Sequence, residues 1–338
     1  MEKIQNIEIT NFKSIKHLEI NDCNKINVFI GMPNAGKSNI LEALSLDCII
    51  EKQLPFDFLK KFIRHSQLNE LFFEGNISND FLVKINNATI VASDIINTLH
   101  IKYKETDKSE SQIINFDYTE KKKISKKINV KSRIKSYLYD SKVQYKTSNY
   151  FSRQKSNFLN YPKGENLADI ISTNPILRNE VNEIFNNNKI KLLIDRSTNE
   201  LKIFKEYQDG TVFTLPYEMI ADTLQRLIFY KAAIISNSNS TLLFEEPEAH
   251  CFEPYILEFT NAVKYDENNN QFFIVTHSDY IVKEFLRDEE SKENTNIYLV
   301  NNVDGETKVK LLNKKNNEDV FEFGMNIFFN FESLWETN

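Results

Sequence analysis

Apolar and polar residues alternate from the start of the chain. KIQNIEIT at 3–10 and IKHLEI at 15–20 place apolar side chains at every second position, which predicts a half-buried antiparallel pair. A short apolar run, KINVFI at 25–30, comes next, and SNILEAL at 38–44 then shifts to helical spacing, so a strand runs through a loop into a helix. ELFFEGNIS, DFLVKIN and TLHIKYKE predict three further strands separated by turns rich in Asn, Gly and Ser. From 104 to 165 the periodicity fades into Lys-, Ser- and Asn-rich sequence, read as an insertion to which no structure is assigned. ENLADIISTNPILRNEVNEIFNNN at 165–188 predicts two helices broken near Pro175. KIKLLID and ELKIFKEY read as a hairpin across RSTN, followed by a strand at TVFTL.

A helix from about Met219 to Ile235 carries Leu224, Leu227, Ile228, Ala232 and Ile235 on one face and stops at SNSNS, 236–240. TLLFEE is a buried strand, a helix starts near Pro254, and QFFIVTHS is another buried strand, closed by an N-cap at Ser278 or Asp279. IYLVNNVDGETKVKLL turns at Asp304-Gly305. Near-continuous apolar strands alternating with helices predict an α/β fold with a largely parallel core sheet covered on both faces. No internal repeat is present, and no heptad pattern is sustained between the first helix and residue 219.

Glycine usage then singles out one loop. The chain has seven glycines in 338 residues, and two of them stand five positions apart in GMPNAGKSN, Gly31 to Asn39. The spacing matches G-x-x-x-x-G-K-[ST], in which glycine lets the backbone curl so that successive N–H groups point at a phosphate. Lys37 is placed to neutralise the β- and γ-phosphates, Ser38 to bind Mg²⁺, and the helix N-terminus to add its positive end. Hydrolysis also needs a carboxylate for the metal and a base for the attacking water. Glu245 and Glu246, at the end of the buried strand TLLFEE, supply both, Glu245 for the metal and Glu246 for the water. His277 ends the strand FFIVTH and is placed to contact the γ-phosphate or the water.

Composition narrows the setting. Hydrophobic residues make up 41% of the chain, enough for one large or two modest domains with a real core. No apolar run approaches eighteen residues and MEKIQNIEITNF lacks a signal pattern, so a cytoplasmic protein with no membrane partner is expected. Cys23, Cys48 and Cys251 are odd in number and widely spaced, which suggests buried thiols and neither disulfides nor zinc. The net charge of −6 is polarised: residues 101–150 hold 13 Lys and Arg against 6 Asp and Glu, and residues 241–338 hold 8 against 20. The basic stretch Lys121 to Lys135 suits a phosphate backbone or an acidic partner, or forms a solvated lysine-rich face.

GMPNAGKSN, LLFEEPEAH and IVTHS, with the opening ITNFKSIKHLEI, resemble the ATP-binding-cassette class of P-loop ATPases. The similarity is to the branch shared by SMC-like and RecF-like repair proteins and OLD-family nucleases, and within it to compact AAA-family ATPases of bacterial anti-phage systems. It covers residues 1–50 and about 215–300. It implies an ABC-type P-loop NTPase with an N-terminal antiparallel β subdomain and a basic middle insertion. The chain then divides into an N-terminal ATPase lobe at 1–103, the insertion at 104–165 and a C-terminal lobe at 166–338. ATP and Mg²⁺ are the implied cofactors. Asn34, Ala35, Gly36, Lys37, Ser38 and Asn39 match the phosphate loop, Glu245 and Glu246 the Walker B pair, and His277 the switch histidine.

Members pair head to tail around two ATPs, which implies a homodimer or larger homo-oligomer. With no nuclease domain evident after residue 300, a separately encoded effector, a nuclease, is the expected partner. The alternative is a RecF- or SMC-like repair ATPase clamping DNA through Lys121–Lys135. A transporter subunit is disfavoured, because the signature expected as Ser-x-Gly aligns with Ala221-Asp222-Thr223. That departure implies a weaker contact with the partner's ATP and slow turnover, and a carboxylate at Asp222 suits the site only if it caps the helix. Gln67 is a candidate for the family's glutamine loop, and Lys13 for a position near the nucleotide. The aromatic tail FEFGMNIFFNFESLW reads either as packed back onto the sheet or as a partner surface.

Overall fold

The computed structural model describes residues 3–52, 59–95, 98–105, 112–117, 122–124, 132–143, 145, 156–187, 190–195, 198 and 200–338. They fall into two compact units, one drawn from 1–136, 241–246 and 271–338, the other from 137–240 and 247–270. With elements numbered along the chain, the first unit opens with β1 (Ile7–Phe12), β2 (Ile15–Ile20), β3 (Ile26–Gly31) and α1 (Lys37–Lys52). There follow β4 (Phe81–Ile85), β5 (Ala88–Ile95), β6 (Thr98–Glu105), β7 (Gln112–Asp117), β8 (Lys122–Ile124) and β9 (Ile134–Tyr137). The same unit takes β13 (Thr241–Glu245), β14 (Gln271–Thr276), α6 (Asp279–Phe285), α7 (Glu289–Glu293), β15 (Thr295–Val303), β16 (Glu306–Leu311), α8 (Lys314–Glu322) and α9 (Phe331–Thr337).

Among the described residues these strands form a seven-stranded sheet ordered β2-β1-β4-β5-β6-β7-β8 and a six-stranded sheet ordered β16-β15-β3-β14-β13-β9. The β1–β2 pair runs antiparallel, with Ile9 opposite Leu18 as the alternation requires. In the second sheet β15, β3, β14 and β13 are parallel, and the residues of β3 and β14 are buried without interruption. Helix α1 touches β1 and β4 of one sheet and β3, β13 and β14 of the other. It is buried continuously from Ile40 to Ile50, as a helix packed on two sides must be. Stacked rings of Tyr298, Phe29 and Phe273, with centroids 5.0 and 6.3 Å apart, tie β15, β3 and β14 together.

The second unit holds α2 (Leu167–Thr173), α3 (Pro175–Asn187), β10 (Lys191–Asp195), β11 (Glu200–Glu206), β12 (Val212–Pro216), α4 (Asp222–Ser236) and α5 (Glu253–Lys264). Its strands make an antiparallel three-stranded sheet. Helix α4 packs on α2, α3 and α5, with Tyr230 edge-on to Phe259 and Lys231 paired with Glu180 and Glu258.

Several expectations are corrected. ELFFEGNIS is not a strand but two 3-10 turns, Leu68–Leu71 and Phe73–Gly75. Glu74 and Gly75 take φ of 52° and 69°, which no strand accommodates, and Phe72 makes only an isolated bridge to Phe12. Strand β5 goes unpredicted because its hairpin turns on Asn86-Asn87 without a glycine, Asn86 itself adopting φ 49°. The helix expected from Met219 starts at Asp222, after a 3-10 turn over Tyr217–Met219. The tail packs back onto the first unit: Lys310 Nζ donates to the Trp335 carbonyl and lies 4.8 Å from the Trp335 ring centre, and the Ile327 N–H donates to Asp279. Phe323 and Phe329 stay exposed. Among the described residues no helix is long and apolar enough to cross a membrane.

Candidate functional site

The loop between β3 and α1 holds its glycines for steric reasons that the structure makes explicit. A Cβ on Gly31 would lie 2.0 Å from the carbonyl oxygen of Val300, its register partner on β15. Gly36 has φ +92°, and a Cβ there would meet Thr307 Oγ1 at 1.9 Å and Ser14 Oγ at 2.7 Å. The support beneath Gly36 is hydrogen-bonded throughout: Asn39 Nδ2 donates to Ser14 Oγ at 2.6 Å, Ser14 Oγ meets Thr307 Oγ1 at 2.7 Å, and the Thr307 N–H donates to the Ser14 carbonyl. Asn34, at φ 62°, and buried Ala35 complete the curl. Lys37, the first residue of α1, is only 4% exposed, and its Nζ donates to the carbonyls of Gly31 and Met32 at 2.9 Å each. The ammonium therefore satisfies two backbone carbonyls of the loop itself.

Parallel register brings the other candidates to the same sheet edge. Thr276 pairs with Ile30 and Val275 with Glu245, so Gly31, His277 and the Glu245-Glu246 pair all follow the carboxyl ends of neighbouring strands. Glu246 leaves β13 at φ 43°, with its N–H donating to the Val275 carbonyl at 2.8 Å. His277 Nε2 is 3.4 Å from Glu246 Oε1. Burial and the Lys37 ammonium push the His277 pKa below its ordinary value, Glu246 opposing them. Ser278 caps α6, its side chain accepting the Ile281 N–H at 3.3 Å, and so fixes the chain immediately after the histidine.

Two charged residues that the sequence reading passed over belong to this edge. Arg64 pairs with Glu245 through Nη2 and donates from Nε and its backbone N–H to Glu42 Oε1, at 3.0 and 3.2 Å. Glu42 is on α1 with its side chain 5% exposed, and its other oxygen is paired with Lys13. Lys13, in the β1–β2 turn, also donates to the Arg64 carbonyl at 2.7 Å. A carboxylate on an otherwise buried helix, five residues after Lys37, was the signal available for Glu42. An open cleft of about 490 Å³, lined by Lys13, Ser14, Arg64, Glu70, Phe72 and Gly305, adjoins this network. Gln67 stands exposed ahead of a 3-10 turn, and no hydrogen bond among the described residues ties its side chain to the loop.

The donor set fits a small hard cation. A serine hydroxyl at the start of α1 and carboxylates at the end of β13 are the oxygen ligands that Mg²⁺ takes beside a polyphosphate.

In the second unit Ala221 precedes α4 as its N-cap and makes no side-chain cap. Asp222 does not meet the condition of capping the helix, whose N-cap is Ala221. Its Oδ1 accepts from Tyr139 Oη at 2.7 Å, and Arg226 lies 3.9 Å from Oδ2 and 4.5 Å from the centre of the Tyr139 ring. The carboxylate is thus occupied by neighbours of its own unit. Of the basic stretch, Lys121 and residues 125–131 lie outside the described residues, and Lys122 and Lys123 are described only as backbone in β8.

No family model matches the chain. It is 23% identical over 379 residues to an "ATP/GTP phosphatase" of Helicobacter pylori, covering 96% of this chain and all of that protein. Among solved structures it resembles an SMC head bound to the C-terminal winged-helix domain of ScpA, with TM-score 0.51 and 16% identity over 93% of this chain and 98% of the other. The SMC head of Thermotoga maritima is a more distant likeness, with TM-score 0.45 and 9% identity over 92% of this chain and all of that one. The likeness to the ScpA-bound head gives this chain the fold of an ATP-binding-cassette-type head.

Proposed function

We propose that the chain is an ATPase that binds Mg·ATP on the loop Gly31–Asn39, hydrolyses it with Glu246, and uses the bound nucleotide to close a pair of chains and control a second protein. What supports the reading most is the convergence at one sheet edge of a glycine-built anion cradle, a buried lysine and two strand-end carboxylates with a neighbouring histidine. The fold of an SMC head and the name of the Helicobacter relative agree with nucleoside-triphosphate hydrolysis.

Each residue has a defined task in this mechanism. Loop N–H groups and the start of α1 hold the phosphates, and Lys37 exchanges its two carbonyl partners for phosphate oxygens. Ser38 and Glu245 would hold Mg²⁺, which when bound offsets phosphate charge. Glu246 orients and deprotonates the attacking water, and neutral His277 beside it accepts or donates a hydrogen bond at the same place. The controlled partner, in this reading, is a separately encoded effector of nuclease type in anti-phage defence. A repair-type clamp would employ the same site and grip DNA instead.

Steady-state phosphate release from ATP tests the proposal. Lys37→Ala is expected to abolish nucleotide binding, and Glu246→Gln to keep binding while slowing release by roughly 10²–10⁴-fold, the usual worth of general-base assistance. Wild-type rates in Glu246→Gln would remove Glu246 from the mechanism.

A further inference from the structure

Four charges meet beside the loop in alternating sign: Lys13, Glu42, Arg64 and Glu245, from the β1–β2 turn, α1, the segment after α1 and the end of β13. Glu42 fixes Arg64 twice, by Nε and by the backbone N–H, so the guanidinium is presented to Glu245 by a buried carboxylate. Glu245, at 19% side-chain exposure, is paired with a cation of this chain. We infer that Arg64 is the counter-ion of Glu245 in the metal-free protein, the place-holder for Mg²⁺, and therefore a residue that sets how strongly nucleotide affinity depends on metal.

The electrostatics run as follows. A triphosphate approaching an uncompensated carboxylate is repelled, so the Glu245 charge has to be neutralised before or during binding. Mg²⁺ does this in the metal-loaded site and the Arg64 guanidinium does it otherwise. The two cations cannot share one carboxylate without repelling each other. Because Glu42 retains Nε and the backbone, Arg64 releases Glu245 to the metal without leaving the site. The wild-type protein then binds nucleotide in the absence of metal better than the Walker carboxylates alone would allow.

This inference rests on the reading of Glu245 as the metal's carboxylate, and the experiment separates the two. Equilibrium affinity for a non-hydrolysable ATP analogue is measured in EDTA and in excess Mg²⁺ for the wild type and for Arg64→Gln, Arg64→Lys, Glu245→Gln and the Arg64→Gln/Glu245→Gln double variant. Arg64→Gln is expected to weaken metal-free binding about tenfold, the effect of one nearby unit charge, and to leave the Mg²⁺ form unchanged. Arg64→Lys should return most of the loss, and the double variant should bind in EDTA as the wild type does. Equal weakening of both forms would make Arg64 an ordinary phosphate contact, and no change in either would make the pairing idle; each overturns the inference. A Glu245→Gln protein whose affinity keeps the wild-type response to Mg²⁺ would instead remove Glu245 from the metal.

Discussion

His277 lies between two opposed influences, the Lys37 ammonium and the Glu246 carboxylate, and burial together with Lys37 outweighs Glu246. Its pKa is therefore below the ordinary histidine value of 6.5. The folded protein takes up this proton less readily than the unfolded chain, so the ring is predominantly neutral at pH 7 and becomes half charged only below pH 6.5. The acid limb of the ATPase rate is expected to have its midpoint below pH 6.5, and His277→Gln should lose the limb that belongs to this ring. A rate already halved at pH 6.5 or above would mean that the histidine titrates at or above its ordinary value. The placement of Lys37, Ser38, Glu245, Glu246 and His277 at one sheet edge was legible in the sequence because each stands at a fixed offset from a strand end or a glycine. The place of Arg64 beside them was not, because its contact with Glu245 spans 181 positions and no local pattern encodes it. The partner of Asp222, Tyr139, was illegible for the same reason, being 83 positions distant.

At the level of elements, the central strands carry the site because they are buried on both faces. Leu242, Leu243 and Phe244 of β13 are all within 1% of complete burial, and Phe244 lies 6.3 Å from Phe272 of β14, centre to centre. Phe244→Ala is expected to destabilise the protein by about 3–5 kcal/mol through lost transfer energy and a cavity, read from a shift of the urea midpoint. A loss below ~1 kcal/mol would mean that this strand does not anchor Glu245. Continuous apolar runs made β3, β13 and β14 readable, and Pro175, Pro254 and Asp304-Gly305 fixed boundaries that the structure reproduces at α3, α5 and the β15–β16 turn. ELFFEGNIS misled because its apolar residues anchor a turn, Leu71 and Phe72 being buried while Glu74 and Gly75 reverse the chain.

For the whole molecule, the first unit is assembled from three separate stretches, the shortest of them the six residues 241–246 that end in the carboxylate pair. That interleaving is set by strand order in the sheet and is invisible to a pattern read along the chain. The signature-like turn belongs to the other unit, where Asp222 is held by Tyr139 and Arg226, and Ala221 and Thr223 stand where the serine and glycine of the signature would. ATP contact across a closed pair is accordingly expected to be weak enough that the wild type pairs only transiently, and Glu246→Gln with Mg·ATP should accumulate at twice the 39.7 kDa chain mass by light scattering. The most direct test is the nucleotide recovered from that Glu246→Gln protein after incubation with Mg·ATP. The account predicts intact ATP, held for as long as the wild type takes to convert many equivalents to ADP; ADP appearing on Glu246→Gln at the wild-type rate would contradict it.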